Sequence, residues 1–402
     1  MFSAKIRTLD RKGTDSVKWD FVRDPSNCFS LKLSSAIDSK KEILPMWVAD
    51  MDFECPEKVI EALSKRIQHG IYGYTYAASS YYESVSNWMW KRHGWKINPN
   101  DITITPGVVP ALKIAVKTFA GHGEKVIIQP PVYHPFFSAA ECNRASLELN
   151  CLINHGETYA MDFEGFEHIV RNRDVKLFIL CNPHNPVGRV WSREELLKIG
   201  EICLKYGVIV VSDEIHSDLI YSWSRHTPFA SISKEFADIS ITCTAASKTF
   251  NLAGLYTSNI IIPNPKLKEL FDNVLSSSGA NEVNIFGLIA TEAAYRHGES
   301  WLKELMSYIE SNYLYIEAFV KNNMPKIKLF KPEGTYLLWI DMSALELSRS
   351  EINNLLLDKA GLGLDEGLAF GNEGVGFLRL NMATSMKNIK EAMDRLLKAF
   401  GS

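Results

Sequence analysis

The sequence predicts an α/β protein: a large domain built on a mostly parallel, helix-covered sheet, joined to a smaller α+β domain. Three observations predict it. Between about residues 100 and 290, short runs of consecutive apolar residues alternate with helical periodicity. Over the last 110 or so residues the pattern changes to a long helical stretch followed by alternating strand-like segments. At 402 residues, with 46% hydrophobic and 23% charged residues, the chain is long enough for two domains and ordinary in globular composition.

The elements follow in order. Residues 108–120 read as a helix, with Leu112, Val116 and Phe119 on one face and Pro110 in the first turn. A short strand at 125–129 is ended by Pro130 and Pro131, and Val175–Cys181 is a strand of the fully buried type. Ser192 opens a helix with Glu195 as the second half of a capping box. Leu196, Leu197, Ile199, Cys203 and Leu204 supply its apolar face, and Gly207 stops it. Strands are expected at 208–212, 239–244 and 259–262. Residues 284–320 read as one long helix, 326–330 and 336–340 as strands, and 351–359 and 387–399 as helices around a strand at 376–381. The division expected is a large domain at 52–290 and a small one made of 1–51 and 291–402. No Ser/Gly linker separates them, so tight packing is expected.

Composition excludes several classes. Lys and Arg total 44 against 47 Asp and Glu, so the net charge is −3, which gives no electrostatic reason to bind nucleic acid. No apolar run approaches the ~20 residues of a membrane helix, and the first ten residues carry no apolar signal core. The seven cysteines are odd in number and never spaced C-x-x-C, which reads as scattered reduced thiols and a cytoplasmic location. There is no P-loop and no G-x-S-x-G elbow, and Gly361, Gly363 and Gly367 lack dinucleotide spacing. His216-Ser217-Asp218 matches part of an iron triad but has no identifiable third ligand.

Open parallel sheets bind ligands beyond the carboxyl ends of their strands. Three of the expected strands discharge a polar group there: Asn185, in Asn182-Pro183-His184-Asn185-Pro186; Asp213; and Lys248, in Ala245-Ala246-Ser247-Lys248. Gly107, Val108 and Val109 open a helix whose free N–H groups suit a phosphate. An amine for a Schiff base, an acid for a ring nitrogen, an amide and an anion cradle are what pyridoxal phosphate requires, and Tyr133 could serve as the aromatic lid over its ring. Singly, each residue has another reading: Asp213 as a helix cap, the Asn-Pro pairs as turn formers, Tyr133 as core. The coincidence of four on one rim is the stronger signal.

The segments LPMWVADMDFECP (44–56), YGYT (72–75), TPGVVPAL (105–112), CNPHNPVGRVW (181–191), VSDEIHSDLIY (211–221), SKTFNLAGL (247–255) and GFLRLNMAT (376–384) resemble the class I/II aminotransferase family of fold-type I pyridoxal-phosphate enzymes. Within it the chain is most similar to the C–S lyases, meaning the cystathionine β-lyases and cysteine-S-conjugate β-lyases. The resemblance covers nearly the whole chain. It implies that Lys248 carries the cofactor and moves the substrate Cα proton, that Asp213 pairs with the ring nitrogen, and that Asn185 bonds the ring's phenolic oxygen. It further implies that Tyr133 stacks on the ring, Gly107, Val108 and Val109 hold the phosphate, and Arg379 grips the substrate carboxylate with Asn185 beside it. Tyr74 is implied to reach the neighbouring site of a homodimer. Two departures stand out. Tyr256 occupies the place of a phosphate-binding arginine, and Ala245 that of a serine, leaving Thr244 and Ser247 as candidate hydroxyl donors. His216 stands where many aminotransferases have a tyrosine, and two readings of it remain open: a bond to the phenolic oxygen, or packing against the turn. The implied reaction is α,β-elimination from a cysteine S-conjugate to thiol, pyruvate and ammonia. An aminotransferase, or a cofactor-binding protein with a regulatory partner, are the alternatives.

Overall fold

The computed structural model describes residues 6–21 and 42–401. The sheet is formed by β1 (Ile102–Thr105), β2 (Lys125–Ile128), β3 (Ser146–Leu149), β4 (Val175–Cys181), β5 (Ile209–Asp213), β6 (Ser240–Thr244) and β7 (Ser258–Ile261), in the spatial order β1-β7-β6-β5-β4-β2-β3. Strands β2 to β6 pair in parallel, while β7 runs antiparallel to both β1 and β6. The central strands β4, β5 and β6 are buried over nearly their whole length, which is why apolar runs mark β4 and the start of β5, while β6 alternates apolar residues with small hydroxyl ones.

The main helices are α1 (Glu57–His69), α2 (Ser79–His93), α3 (Val108–Phe119), α4 (Arg193–Tyr206), α5 (Ile285–His297), α6 (Glu299–Asn323) and α7 (Met386–Phe400). Helix α4 carries the expected capping box between Ser192 and Glu195 and ends at Gly207 in the left-handed conformation. The stretch expected as one helix over 284–320 is broken at Gly298. A Cβ there would stand 2.3 Å from the Phe250 ring and 2.5 Å from the Ala294 carbonyl, so the chain turns where only hydrogen fits. The helix expected at 351–359 begins earlier, at Arg349 behind a Ser348/Glu351 capping box, and its last turn widens over Leu355–Ala360. Helices α1 and α2 and strand β1 lie outside the expected elements. Helix α1 carries Val59, Ile60, Leu63 and Ile67 at helical spacing but buries only Val59; α2 buries Tyr81, Val85, Trp88 and Met89, a signal masked by its aromatic content.

A second, antiparallel sheet joins β8 (Lys328–Leu329), β9 (Leu337–Asp341), β10 (Asp365–Glu366) and β11 (Phe377–Asn381) in the order β8-β9-β11-β10. Leu44–Pro45 pairs in parallel with Leu362–Gly363, tying the early chain to this region. One apolar cluster runs through α2, α6, β9, β11 and α7, including Trp88, Leu302, Leu338, Leu380 and Met393, so the two sheets share packed core.

Candidate active site

The register of the sheet assembles the site. Cys181, Asp213 and Cys243 are mutual partners at the ends of β4, β5 and β6, so the chain segments that leave these strands emerge side by side. Beyond β4, the turn carrying Asn185 is braced at its base: the Trp191 indole donates to the Cys181 carbonyl at 2.9 Å, and Asn182 accepts the Trp191 N–H at 3.1 Å. Arg189 pins the same turn to Glu333 and Glu195 at 2.8 and 2.9 Å. Beyond β6, Lys248 sits in the short helix Ala246–Thr249. Gly107, at φ +134°, precedes α3, whose first-turn N–H groups have no intrahelical acceptor.

These segments surround a cavity of about 490 Å³. Gly107, Val108, Val109, Tyr133, Asn185, Asp213, His216, Ser247 and Lys248 all line it. Arg379 stands behind Asn185, donating to its Oδ1 at 2.9 Å and to the Trp47 carbonyl at 2.9 Å. A further Nη2 bond to Asp365 and the Phe370 ring 4.8 Å from the guanidinium fix it, and its buried Nε is left without a partner among the described residues. Tyr74 is not part of this assembly; it is fully exposed in the loop between α1 and α2. The metal reading of His216-Ser217-Asp218 fails on geometry. The Asp218 carboxylate is taken by Trp88, His93 and Thr249, and among the described residues no cluster of His, Cys, Asp and Glu could hold a metal.

Burial sets the electrostatics. It pushes the Asp213 carboxyl up to about 7, against the opposing Ile215 N–H and Lys248 charge. It brings the Lys248 amine down to about 8; Arg379 acts in the same sense, while Asp50 and Asp213 oppose it. Tyr133 is raised to about 12, mainly by burial, and His216 is held well below its ordinary range by burial and by the Lys248 and Arg379 charges. The His216 ring packs edge-on to Tyr336 at 5.9 Å, and its Nδ1 is buried without a partner among the described residues.

Several contributors were not legible beforehand. The Ala49 carbonyl accepts Lys248 Nζ at 2.7 Å. Asn251, in the left-handed region at φ +59°, bonds the Met51 N–H and the Met51 and Phe53 carbonyls at 2.9 to 3.0 Å. Its Asn-Leu-Ala-Gly context was the available signal, because asparagine tolerates that conformation. Thr257 and Ser258 line the cavity beside Tyr256, whereas the Thr244 hydroxyl is spent on the Asn259 carbonyl at 3.3 Å.

A family model described as aminotransferase class I and II matches residues 41–396. The chain belongs to this family. It is 48% identical over 390 residues to cystathionine beta-lyase PatB of Bacillus subtilis, covering 97% of this chain and 98% of that protein. Its fold is similar to that of cystalysin from Treponema denticola, a structure containing pyridoxal 5′-phosphate, with a TM-score of 0.92 and 38% identity over 99% of both chains. A C–S lyase from Staphylococcus hominis, solved with pyridoxal phosphate and L-cycloserine, gives a TM-score of 0.92 at 33% identity, covering 98% of this chain and 97% of that one. The cofactor of this family member is pyridoxal 5′-phosphate. The cavity fits it: an amine, a buried carboxyl pushed up to about 7 by desolvation, and free helix N–H groups share one chamber.

Proposed function

We propose that this chain is a pyridoxal-phosphate-dependent C–S β-lyase that cleaves cystathionine or related cysteine S-conjugates to a thiol, pyruvate and ammonia. The observation that carries the chemistry is the placement of Lys248 and Asp213 on one cavity, with Arg379 behind Asn185 at its edge. The choice of elimination rests on the similarity to PatB over the whole chain.

When bound, the cofactor supplies a protonated ring that takes up the electron pair left as the substrate Cα loses its proton. The chain's residues do the rest. Arg379, fixed by Asn185, Trp47 and Asp365, presents its remaining donors to the substrate carboxylate. Asp213 would pair with the ring nitrogen and keep it protonated, and a cation there would return the Asp213 carboxyl to the ionised form. Lys248, brought toward neutrality by burial, takes the Cα proton at Nζ. Tyr133 would cover the ring and Asn185 would bond its phenolic oxygen; both line the cavity. The N–H groups of Val108 and Val109, with Ser247 and the 256–258 turn, would hold the phosphate in place of an arginine. With the Cα proton held on Lys248 Nζ, the Cβ–S bond would break with its electron pair on sulfur, the Lys248 ammonium would return that proton to complete the thiol, and water would convert the remaining three-carbon fragment to pyruvate and ammonia.

The same reading divides the chain into a large domain at 52–290 and a small one at 1–51 and 291–402, places it in the cytoplasm, and makes it a homodimer. The exposed residues Ile71, Tyr72, Tyr74 and Tyr76 support the last point, since so apolar a loop suits a partner surface. Among the described residues no helix is long and apolar enough to cross a membrane. Incubation with cystathionine tests the function. Pyruvate and homocysteine should form with no 2-oxo-acid acceptor, and Lys248→Ala should abolish them. An absolute acceptor requirement would make the protein a transaminase instead.

A further inference from the structure

Lys248 shares its acceptor. Its Nζ donates to the Ala49 carbonyl oxygen at 2.7 Å, and the Tyr336 hydroxyl donates to the same oxygen at 2.7 Å. Amine and phenol therefore lie no more than twice that distance apart. The backbone around this oxygen is fixed from three sides. Asn381 Nδ2 donates to the Val48 and Asp50 carbonyls at 2.6 Å, Asn251 bonds both backbone groups of Met51, and Arg11 grips both oxygens of the Asp50 carboxylate at 2.7 and 2.8 Å. Tyr336 directly precedes β9, is fully buried, and sets its ring against His216. Burial keeps its phenol protonated, so it is a fixed donor that neither gives nor takes a proton in the reaction. The reaction described above has no use for it.

We propose that Tyr336 is a positioning residue for Lys248: by occupying one lone pair of the Ala49 oxygen it orients that acceptor and limits how strongly it stabilises the lysine ammonium. The inference deepens the lyase reading and rests on Lys248 being the amine that moves the Cα proton. A carbonyl has two lone pairs, and two donors on one oxygen draw on the same electron density. The other groups that act on the amine are Asp50 and Asp213, which favour its charge, and Arg379, which opposes it. His216 is kept neutral by burial, and Tyr133 is a neutral phenol. All of these remain in Tyr336→Phe, so that variant isolates one hydroxyl.

The test reads Lys248 in two ways. In the full chain freed of cofactor, labelling of Lys248 by an amine reagent, followed by peptide mass spectrometry, should show its midpoint moving up by about 0.5–1 pH unit, a roughly three- to tenfold change. In the holoenzyme the acid limb of the kcat profile should move the same way, so that kcat is lower at pH 7 and recovers toward wild type at pH 9 with KM for cystathionine unchanged. An unmoved labelling midpoint, or a loss of kcat equal at every pH, overturns the inference while leaving the lyase intact. Full turnover by Lys248→Ala would instead overturn the role given to Lys248, and an absolute requirement for a 2-oxo-acid acceptor would overturn the lyase reading itself.

Discussion

Asp213 shows at the scale of one residue how this site trades stability for chemistry. Its carboxyl is buried and raised to about 7, so the cofactor-free chain holds a proton there that the unfolded chain has already lost. The sign follows: the folded state is penalised progressively as pH rises from the ordinary carboxylate range through about 7, and the full penalty applies above it. Asp213→Asn removes the charge yet keeps an oxygen for the Ile215 N–H, which donates at 3.2 Å. Without cofactor, this variant should unfold at higher denaturant than wild type at pH 8, by a margin on the order of 2–4 kcal/mol, and the gain should vanish near pH 4. With cofactor it should lose nearly all turnover, because a neutral amide cannot hold the ring proton. Equal stability at pH 8 would show that the buried carboxylate carries no such cost. At this scale the sequence was informative about Lys248, Asp213, Asn185 and Arg379, since each follows a readable strand or motif. It was silent on Ala49 and Tyr336, whose contributions depend on contacts across 199 and 287 residues of chain, and on Asp365, which meets Arg379 only through the pairing of β10 with β11.

The decisive element is the segment from Met46 to Phe53, which has almost no regular structure of its own. It is held from outside: by Asn251 after Lys248, by Asn381 at the end of β11, and by Arg11 and Lys18 from the early chain, the latter in a buried pair with Asp52 at 2.9 Å. The consequence is that the Ala49 carbonyl is as well placed as a residue in a strand. Asn251→Ala removes three hydrogen bonds and places alanine at a positive φ, so it should destabilise the protein by about 2–4 kcal/mol in chemical denaturation. Because Met51 lies two residues from Ala49, kcat should fall with it. A loss below about 1 kcal/mol would mean that the other two attachments hold the segment unaided. The motif KTFNLAG marked this region without disclosing its task, because an asparagine side chain reveals its partners only once the chain has folded.

For the whole molecule, the proposal to test is that a second protomer contributes to the site. Tyr74 is fully exposed, and Tyr256 at the cavity rim is largely so, which suits a dimer in which the loop of one protomer meets the rim of its partner. Complementation measures this. Lys248→Ala and Tyr74→Ala should each be impaired, yet after subunit exchange of equal amounts one site in each mixed dimer carries neither change, restoring about a quarter of wild-type turnover. No recovery above the sum of the separate variants would place Tyr74 outside the partner's site.

The amino-acid sequence alone determined the alternation of apolar strands and helices, the start of α3 after Gly107, and the amine, carboxylate and amide beyond the strand ends. These are local properties: burial on both faces makes an unbroken apolar run, and a polar residue at its end is exposed to the sheet's rim. The break of the long helix at Gly298, the antiparallel β7 and the shared oxygen of Ala49 were decided only by tertiary structure. Each depends on what a distant part of the chain presses against that spot (Phe250 on Gly298, β1 and β6 on either side of β7, Tyr336 and Lys248 on one carbonyl), and spacing along the chain carries no record of such meetings.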